Sequence, residues 1–430
     1  MTGLSCRHRL PARATGLLLA AAAWLSASPW LGQAARAASG RPALTALRPA
    51  TSAAAGNAFD AERYTPAVLR LSVTPDRDGR SSLIDLTLIP VEGELVGRRV
   101  TISTTALAEQ LRELYGRLAK QQPMEVENPA SPSRQLYRLL LEPLAADLQR
   151  LGITTLLVSA DPGLQAIPFA ALHDGSTYVG ERYAMALTPS LGLTPLDVPK
   201  AGAGSRQLAV GASKFEGLSP LPLVPQELER VTGNTEAERY IDTAFTPDVL
   251  LLKAGEGSID RVHVATHAEF LPGGPAQAKL YTGTGPLSLS QFASLRQRRS
   301  GSAPLELIAL SACRTALGDK DSELGFAGLA LQAGARSAIG TLWYVDDVAT
   351  SAFFVQFYRY LNDGLPKAEA LQATRRAMAE GGLRPDGDRV LGPDGSVVLK
   401  DLTISQQRRI ASGLRHPFYW AGITLLGTPW

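Results

Sequence analysis

The sequence predicts an α/β protein whose core is an open, mostly parallel sheet with helices on both faces. Segments with the two-residue alternation of strands take turns with segments that have the 3.6-residue period of helices. Residues 305–311, Leu-Glu-Leu-Ile-Ala-Leu-Ser, are nearly all apolar, as expected of a central parallel strand covered on both faces. The 430 residues are 45% hydrophobic and 19% charged, which indicates a folded globular protein and excludes collagen-like and largely disordered chains.

Residues 64–200 are predicted to form a smaller α/β lobe. Apolar residues alternate on either side of the turn Asp-Arg-Asp-Gly at 76–79 and later recur with helical spacing, as at Leu107, Leu111 and Leu114. The predicted elements are strands at 69–73 and 83–89, helices at 105–119 and 133–151, and a buried strand at 153–159.

Residues 205–430 are predicted to form the second, larger lobe. The predicted strands are 208–212, 239–241, 261–267, 305–311, 337–343 and 419–426, and the predicted helices are 224–232, 246–254, 325–334, 347–361 and 367–380. The helix at 224–232 is expected to direct its Gln, Glu and Arg side chains outward. The Gly-, Pro- and Asp-rich segment 382–398 is predicted to be a loop.

Residues 1–37 have the three parts of a secretory signal peptide. A basic start with Arg7, Arg9 and Arg13 precedes an apolar run at 15–27, and small residues then offer a cleavage site after Ala37. The apolar run is shorter than the roughly 20 residues that a membrane-spanning helix needs. We therefore expect a cleaved leader, a flexible linker at 38–63 and a periplasmic or secreted protein. An uncleaved anchor is the alternative.

Removal of the leader changes both the charge and the cysteine count. The leader carries four arginines and no acid, so 39 basic residues remain against 40 acidic ones. A nucleic-acid binder is expected to keep a basic excess, so that class is excluded, and membrane contact is expected only through the leader during export. Cys6 leaves with the leader. Cys313 is then the only cysteine, and in an oxidising compartment it is either buried or reactive.

Two predicted strands end in residues that can perform nucleophilic catalysis. One ends at His267, and the other runs into Cys313. The carboxyl ends of neighbouring parallel strands meet at one edge of a sheet, where active residues gather in open α/β folds. An imidazole favours the thiolate, and backbone N–H groups at Ala268 and Cys313 would form an oxyanion hole. From residue chemistry alone, a buried cysteine and a core histidine remain the alternative.

Seven stretches of the sequence resemble the CHAT-domain peptidases, a caspase-like family of clan CD cysteine peptidases related to separases. The stretches occur in order, with family-like spacing, over about residues 64–428. They are 156–172, 186–190, 263–267 (His-Val-Ala-Thr-His), 310–315 (Leu-Ser-Ala-Cys-Arg-Thr), 323–329, 340–347 (Gly-Thr-Leu-Trp-Tyr-Val-Asp-Asp) and 416–422.

The resemblance implies a caspase-like catalytic lobe at 205–430, preceded by a pseudo-caspase-like support lobe. It also implies a catalytic dyad of His267 and Cys313, which needs no metal and no cofactor. Caspase-like enzymes usually have Gly after the histidine, whereas this chain has Ala268, which retains the N–H but tolerates fewer backbone conformations. The family is often joined to tetratricopeptide arrays. None precedes the domain here, so we expect any control of activity to come from elsewhere, such as an activator or regulatory protein.

Four further residues are candidates for a substrate pocket. Asp346 and Asp347 follow Trp343 at a predicted strand end and would suit a basic side chain of the substrate, although an N-cap of the next helix is the simpler role. Arg314 would orient an acidic group, or be solvated or paired. His263 and His267 have the spacing of helical zinc ligands, but four residues of a strand span about 13 Å. We expect no metal site, and a structural role for His263.

Three functions fit these observations. The first is a cysteine endopeptidase that hydrolyses peptide bonds through His267 and Cys313, with a protein or peptide as its substrate. The second is a caspase-like interaction module that retains both residues but binds partner proteins. The third is a thiol-based redox protein, which would need an outside thiol because no second cysteine remains.

Overall fold

The fold is taken from a computed structural model, which describes residues 65–76, 80–188, 194, 206–233, 235–270, 278–312 and 325–430. The predicted leader (1–37) and linker (38–63) lie outside the described residues, as do Cys313 and Arg314. In the described part of the chain, no helix is long and apolar enough to span a bilayer.

The strands of residues 66–188 form one half of a large sheet. These strands are β1 (Pro66–Pro75), β2 (Ser81–Pro90), β3 (Val96–Ser103), β4 (Thr155–Ala160) and β5 (Ala184–Thr188). The first three pair as antiparallel neighbours, whereas β1, β4 and β5 are parallel. Alternating burial along β2 directs every second side chain into the core, as the sequence pattern predicts.

Helices connect these strands and cover them. They are α1 (Thr104–Ala119), α2 (Pro132–Leu140), α3 (Ala145–Arg150) and α4 (Val179–Arg182). The single helix predicted at 133–151 is divided into α2 and α3 by a 3-10 turn at Glu142–Leu144. The physical reason is Pro143, which has no N–H to donate and whose ring clashes with the preceding turn.

The second half of the chain supplies the remaining strands. They are β6 (Arg206–Gly211), β7 (Glu236–Ile241), β8 (Arg261–Ala265), β9 (Ala268–Phe270), β10 (Ala278–Tyr281), β11 (Pro286–Ser288), β12 (Leu307–Ser311), β13 (Ser337–Thr341), β14 (Arg384–Asp386), β15 (Arg389–Leu391), β16 (Val397–Leu399) and β17 (Ile423–Gly427). β9, β10 and β11 form a small antiparallel sheet directly after the strand that carries His263.

One eleven-stranded sheet runs through both halves, in the order β3-β2-β1-β4-β5-β17-β13-β12-β8-β6-β7. From β13 to β7 all neighbours are parallel, and β12 is fully buried, as predicted for a central strand. The last strand, β17, is parallel to β5 and antiparallel to β13, and therefore joins the two halves. The sheet is mostly parallel, which confirms the predicted fold class.

The helices of the second half fall into two groups. They are α5 (Val224–Thr232), α6 (Pro247–Gly255), α7 (Leu289–Ala293), α8 (Leu295–Arg298), α9 (Gly325–Gln332), α10 (Asp347–Asn362), α11 (Lys367–Ala379) and α12 (Ile404–Arg409). α10 packs between α5 and α11, whereas α6 packs on α8 and α7 on α9. α10 is buried along most of its length, so it is the central helix of its group.

The prediction of a loop at 382–398 is wrong. Strands β14, β15 and β16 form an antiparallel sheet there, and Arg359 of α10 donates hydrogen bonds to Ser396 Oγ (2.6 Å) and the Val397 carbonyl (2.8 Å). The Gly residues that indicated a loop occupy the turns between the short strands. Gly387 and Gly395 have φ of 60° and 78°, a region that favours glycine.

Candidate active site

The carboxyl ends of three parallel strands meet at one edge of the second half-sheet. Ala265 at the end of β8 pairs with Gly211 of β6 on one side and with Ser311 of β12 on the other. Gly211 allows this close approach, because a Cβ atom there would lie 2.7 Å from the Ala265 carbonyl oxygen and 2.5 Å from Val224 of α5. The edge is therefore compact enough to bring the residues after β8 and β12 together.

His267 follows this edge, two residues after the end of β8. Its Nε2 atom lies 2.8 Å from the carbonyl oxygen of Ser219, in the loop after β6. A carbonyl can only accept a hydrogen bond, so Nε2 carries the proton and Nδ1 of the neutral ring is left as an acceptor. The Phe215 ring packs on the imidazole at a centroid distance of 4.7 Å, which orients it further.

The loop that supplies Ser219 is anchored at its start. The Ser213 N–H donates to Asp242 Oδ1 (2.7 Å), and its hydroxyl lies 2.9 and 3.0 Å from the two carboxylate oxygens of Asp242. These bonds tie the loop after β6 to the end of β7. The hydrogen bond that orients His267 therefore originates from an ordered loop.

Ala268 begins β9, and its N–H points away from the neighbouring strand. The Tyr281 N–H donates to the His267 carbonyl (3.0 Å), which makes these two residues a hydrogen-bonded pair. Ala268 and Leu280 are the next pair along and must be non-hydrogen-bonded, since the two kinds alternate in antiparallel strands. Ala268 also has no positive φ, so alanine fits where related enzymes have glycine.

A cleft of about 90 Å³ opens beside His267. Its walls come from the ends of β8 and β12, the start of α5 and the first turns of α10. They are lined by Leu221, Leu223, Val224, Glu227, Ala265, Thr266, His267, Ser311, Ala312, Val345, Asp347, Thr350 and Ser351. The walls are largely apolar, with carboxylates at two places. Such a concave, mostly apolar site with few polar groups is typical of a ligand pocket.

The residue before Cys313 also borders this cleft. The Ala312 carbonyl accepts a hydrogen bond from Thr341 Oγ1 of β13 (2.9 Å), and the Ser311 carbonyl accepts one from the Thr266 N–H (3.2 Å). Both bonds hold the end of β12 against its neighbours. Cys313 and Arg314 themselves lie outside the described residues, so their predicted roles stay predictions.

Beneath the cleft lies a buried pair, His263 and Glu227. His263 Nε2 is 2.9 Å from Glu227 Oε1, and the Ser351 hydroxyl donates to Glu227 Oε2 (2.6 Å). The imidazole is completely buried and packs edge-on against Phe354 and Tyr358. His263 is therefore held inside the core. The expectation that the Glu side chains of α5 face outward is wrong for Glu227, which is 1% exposed.

Asp346 caps a helix. Its Oδ1 accepts hydrogen bonds from the N–H groups of Val348 (2.9 Å) and Ala349 (3.1 Å), at the first turn of α10. Its Oδ2 accepts a bond from Arg409 Nε of α12 (2.8 Å). Both oxygens are thereby used in structural contacts, as in the simpler of the two roles predicted for this residue.

Asp347, in contrast, lines the cleft. Its carboxylate forms an ion pair with Arg409, and its side chain is 20% exposed. Burial and the neighbouring Asp346 carboxylate raise the pKa of Asp347, whereas Arg409 lowers it. Of the four predicted pocket residues, Asp347 is the one that the structure brings beside His267.

Trp343 lies in the core. It is 4% exposed, its ring contacts Tyr115 of α1 edge-on at 5.8 Å, and its Nε1 donates to the Phe418 carbonyl (2.9 Å). Gly422 permits this packing, since a Cβ atom there would lie 2.5 Å from the indole ring. The prediction that Trp343 lines the pocket is therefore replaced by a role in joining α1 to the second half of the chain.

Sequence reasoning missed three residues that shape the site: Ser219, Arg409 and Glu227. A backbone carbonyl such as that of Ser219 has no sequence signal, and Arg409 lies 62 residues from its partner Asp347. Glu227 did have a signal. It shares the helical stripe of Val224, Leu228 and Val231, all of which are buried, and a carboxylate in that stripe must point inward.

Two solved structures resemble the chain at low sequence identity. One is separase in the Saccharomyces cerevisiae separase–securin complex, at 11% identity, with a TM-score of 0.47 over 86% of this chain and 30% of that chain. The other is the Arg-specific cysteine proteinase gingipain R of Porphyromonas gingivalis, at 12% identity, with a TM-score of 0.39 over 72% of this chain and 70% of that chain. No curated protein sequence matches the chain at a significant level.

A family match covers most of the described fold. The sequence profile of the CHAT domain matches residues 130–428, more than two thirds of the chain. It begins within the first half of the sheet, after β1, β2, β3 and α1, and continues through the cleft to the end of β17. The chain therefore belongs to the CHAT domain family, as the resemblance of its motifs predicts.

Proposed function

We propose that this protein is a cysteine endopeptidase in which Cys313 is the nucleophile and His267 the general base and acid. The observation that carries the proposal is the position of His267. The ring follows the end of β8 by two residues, beside a cleft, with Nε2–H committed to the Ser219 carbonyl. Cys313 likewise follows the end of the adjacent strand β12 by two residues.

The proposed reaction uses the two nitrogens of the imidazole differently. The Ser219 carbonyl holds the Nε2 proton, so Nδ1 is the atom that accepts the thiol proton of Cys313. The thiolate then attacks the carbonyl carbon of the substrate, and the N–H groups of Ala268 and Cys313 donate to the oxyanion. His267 returns the proton to the leaving amine. Water, activated by the same imidazole, finally hydrolyses the acyl-enzyme.

The cleft is proposed as the pocket for the substrate side chain on the amino side of the scissile bond, the P1 residue. Its apolar walls suit a long aliphatic stem, and the Asp347 carboxylate suits a positive charge at the end of that stem. A substrate guanidinium or ammonium would compete with Arg409 for Asp347. We therefore propose cleavage after Arg or Lys, with Arg314 as a further pocket residue, and export through the leader at 1–37.

The proposal is tested with the exported chain, from residue 38, and a diverse peptide library under reducing conditions. Cys313→Ala is expected to abolish cleavage. His267→Ala is expected to lower kcat/KM about 10²–10⁴-fold, the usual contribution of a general base and acid. His416→Ala is a matched control, because its Nε2 also binds a backbone carbonyl (Gln122, 2.8 Å) and it does not line the cleft. This variant should retain full activity.

Equal cleavage by the wild-type chain and both dyad variants would contradict the proposal. If the wild type is inactive, titration of the Cys313 thiol decides between two cases. A thiol pKa well below the usual value of about 8.5 indicates an enzyme that needs an activator. A pKa near that value, together with a bound partner protein that remains uncut, indicates the interaction module.

A further inference from the structure

A small closed cavity lies where the two halves of the sheet meet. It measures about 10 Å³ and is bordered by β5, β17, α11 and the segment at 167–170. That volume accommodates one guest of roughly the size of a water molecule. The junction itself has little pairing, since the register of β5 and β17 contains a single residue pair, Leu187 with Leu426.

The cavity is lined by a buried arginine. Arg375 of α11 is 1% exposed, and its Nη2 donates to the Ile423 carbonyl of β17 (2.6 Å). Its Nε and Nη1 have no hydrogen-bond partner in the described part of the chain, and none of the described carboxylates forms an ion pair with it. The other walls are mainly apolar, with Phe169, Met185 and Leu187 on the side of the first half.

An arginine in this position requires compensation. Burial lowers the pKa of Arg375 to about 9, so the guanidinium is still charged at pH 7, and no other described charge contributes to the shift. An unpaired buried charge costs several kcal/mol, and unsatisfied buried N–H donors add to that cost. A water molecule would satisfy the donors but leave the charge. A small anion in the cavity would do both.

We propose that this cavity is a binding site for one small monovalent anion of the size of chloride, held by the Nε–H and Nη1–H groups of Arg375. The anion would contact walls from both halves of the sheet: β5 and Phe169 from the first, Thr424 of β17 and Arg375 from the second. Its role is structural, because the cavity is distinct from the cleft beside His267. It ties the two halves together at a junction that has few strand-to-strand hydrogen bonds.

The test measures the unfolding temperature of the full chain while chloride replaces gluconate, an anion too large for the cavity, at constant ionic strength. A ligand that binds only the folded state raises the midpoint with its concentration, here by about 2–4 °C for each tenfold increase above the dissociation constant. Arg375→Gln should abolish this dependence. Arg376→Gln is the matched control. Arg376 is the next residue of α11, is exposed, and should leave the dependence unchanged.

Crystals grown in bromide provide a second measurement that does not depend on a variant. The expected result is an anomalous peak within hydrogen-bond distance of Arg375 Nε and Nη1. An ordered water molecule or a carboxylate at that place would overturn the proposal. So would equal unfolding temperatures of the wild type in chloride and gluconate, or a chloride dependence that Arg375→Gln retains.

Discussion

The two halves of the sheet end in different ways at the carboxyl ends of their parallel strands. In the first half, Asp161 directly follows β4; it pairs with Arg70 of β1 (2.5 Å) and accepts a bond from the Val73 N–H (2.9 Å). In the second half, His267 follows β8, and a cleft of about 90 Å³ opens beside it. The same architectural position is closed by an ion pair in one half and left open in the other.

The loop after β4 shows how the first half is closed. The Tyr115 hydroxyl of α1 donates to the Ala166 carbonyl (2.6 Å), and Gln165 Nε2 donates to the Ala160 carbonyl (3.1 Å). The charged and polar groups at this edge are thereby paired within the loop and its neighbours. At the edge of the second half, the imidazole of His267 keeps one nitrogen for chemistry. The comparison teaches that a strand end becomes a site where the surrounding side chains leave a functional group unpaired.

The largest effect is expected from Glu227→Ala, because the second half depends on its buried pair. The substitution leaves His263 Nε2 and the Ser351 hydroxyl without their common partner inside the core, so the free energy of unfolding should fall by about 3 kcal/mol. Urea unfolding measures the change. Glu229→Ala is the control, since Glu229 is exposed on the same helix and should change stability little. A loss no larger than that of the control would contradict the structural role of the pair.

A smaller effect is expected from Asp347→Asn, which changes the charge of the open edge. If the cleft receives a basic P1 side chain, loss of the carboxylate should lower kcat/KM for Arg and Lys substrates about 10–100-fold, as expected for a charged hydrogen bond of about 1.5–3 kcal/mol. Cleavage of peptides with an apolar P1 residue should not fall. Asp363→Asn, at the exposed opposite end of α10, serves as control. An equal loss for basic and apolar peptides would remove Asp347 from substrate recognition.

The smallest effect is expected from Asp161→Ala, at the closed edge. The Arg70–Asp161 pair is partly exposed, so its loss together with the Val73 hydrogen bond should cost only about 1 kcal/mol of the free energy of unfolding. Peptide cleavage should be unchanged. Asp85→Ala removes a more exposed pair with Arg99 of the same half and should cost less. A loss of cleavage in Asp161→Ala with normal stability would show that the first half takes part in the reaction.

Local patterns along the chain were sufficient to predict most of the elements that position the site. The helix predicted at 224–232 matches α5, and the strand at 305–311 contains β12. These predictions succeed because apolar periodicity reports directly which face of an element is buried. Errors arose where one residue overrode the pattern, as at Pro143, or where short strands lie between glycine turns, as at 384–399.

The candidate site was predicted less completely than the fold. His267 and Asp347 could be proposed from their places after predicted strands, because the carboxyl edge of a parallel sheet is where loops converge. Trp343 was assigned to the pocket from the same reasoning, yet it packs on Tyr115 and Gly422. The chain position of a residue at a strand end does not say which way its side chain turns. That direction depends on which neighbours leave space.

The sequence by itself determined the order of elements, the family and the residue types available for chemistry, since these follow from periodicity and motifs along the chain. Tertiary structure alone decided which groups meet. The Ser219 carbonyl that orients His267 comes from 48 residues away, and backbone carbonyls are chemically alike until the fold selects one. Likewise, Arg375 is one of two adjacent arginines in α11, and only packing at the β5–β17 junction makes it the buried one. Burial and partnership arise from contacts between distant segments, which no local pattern contains.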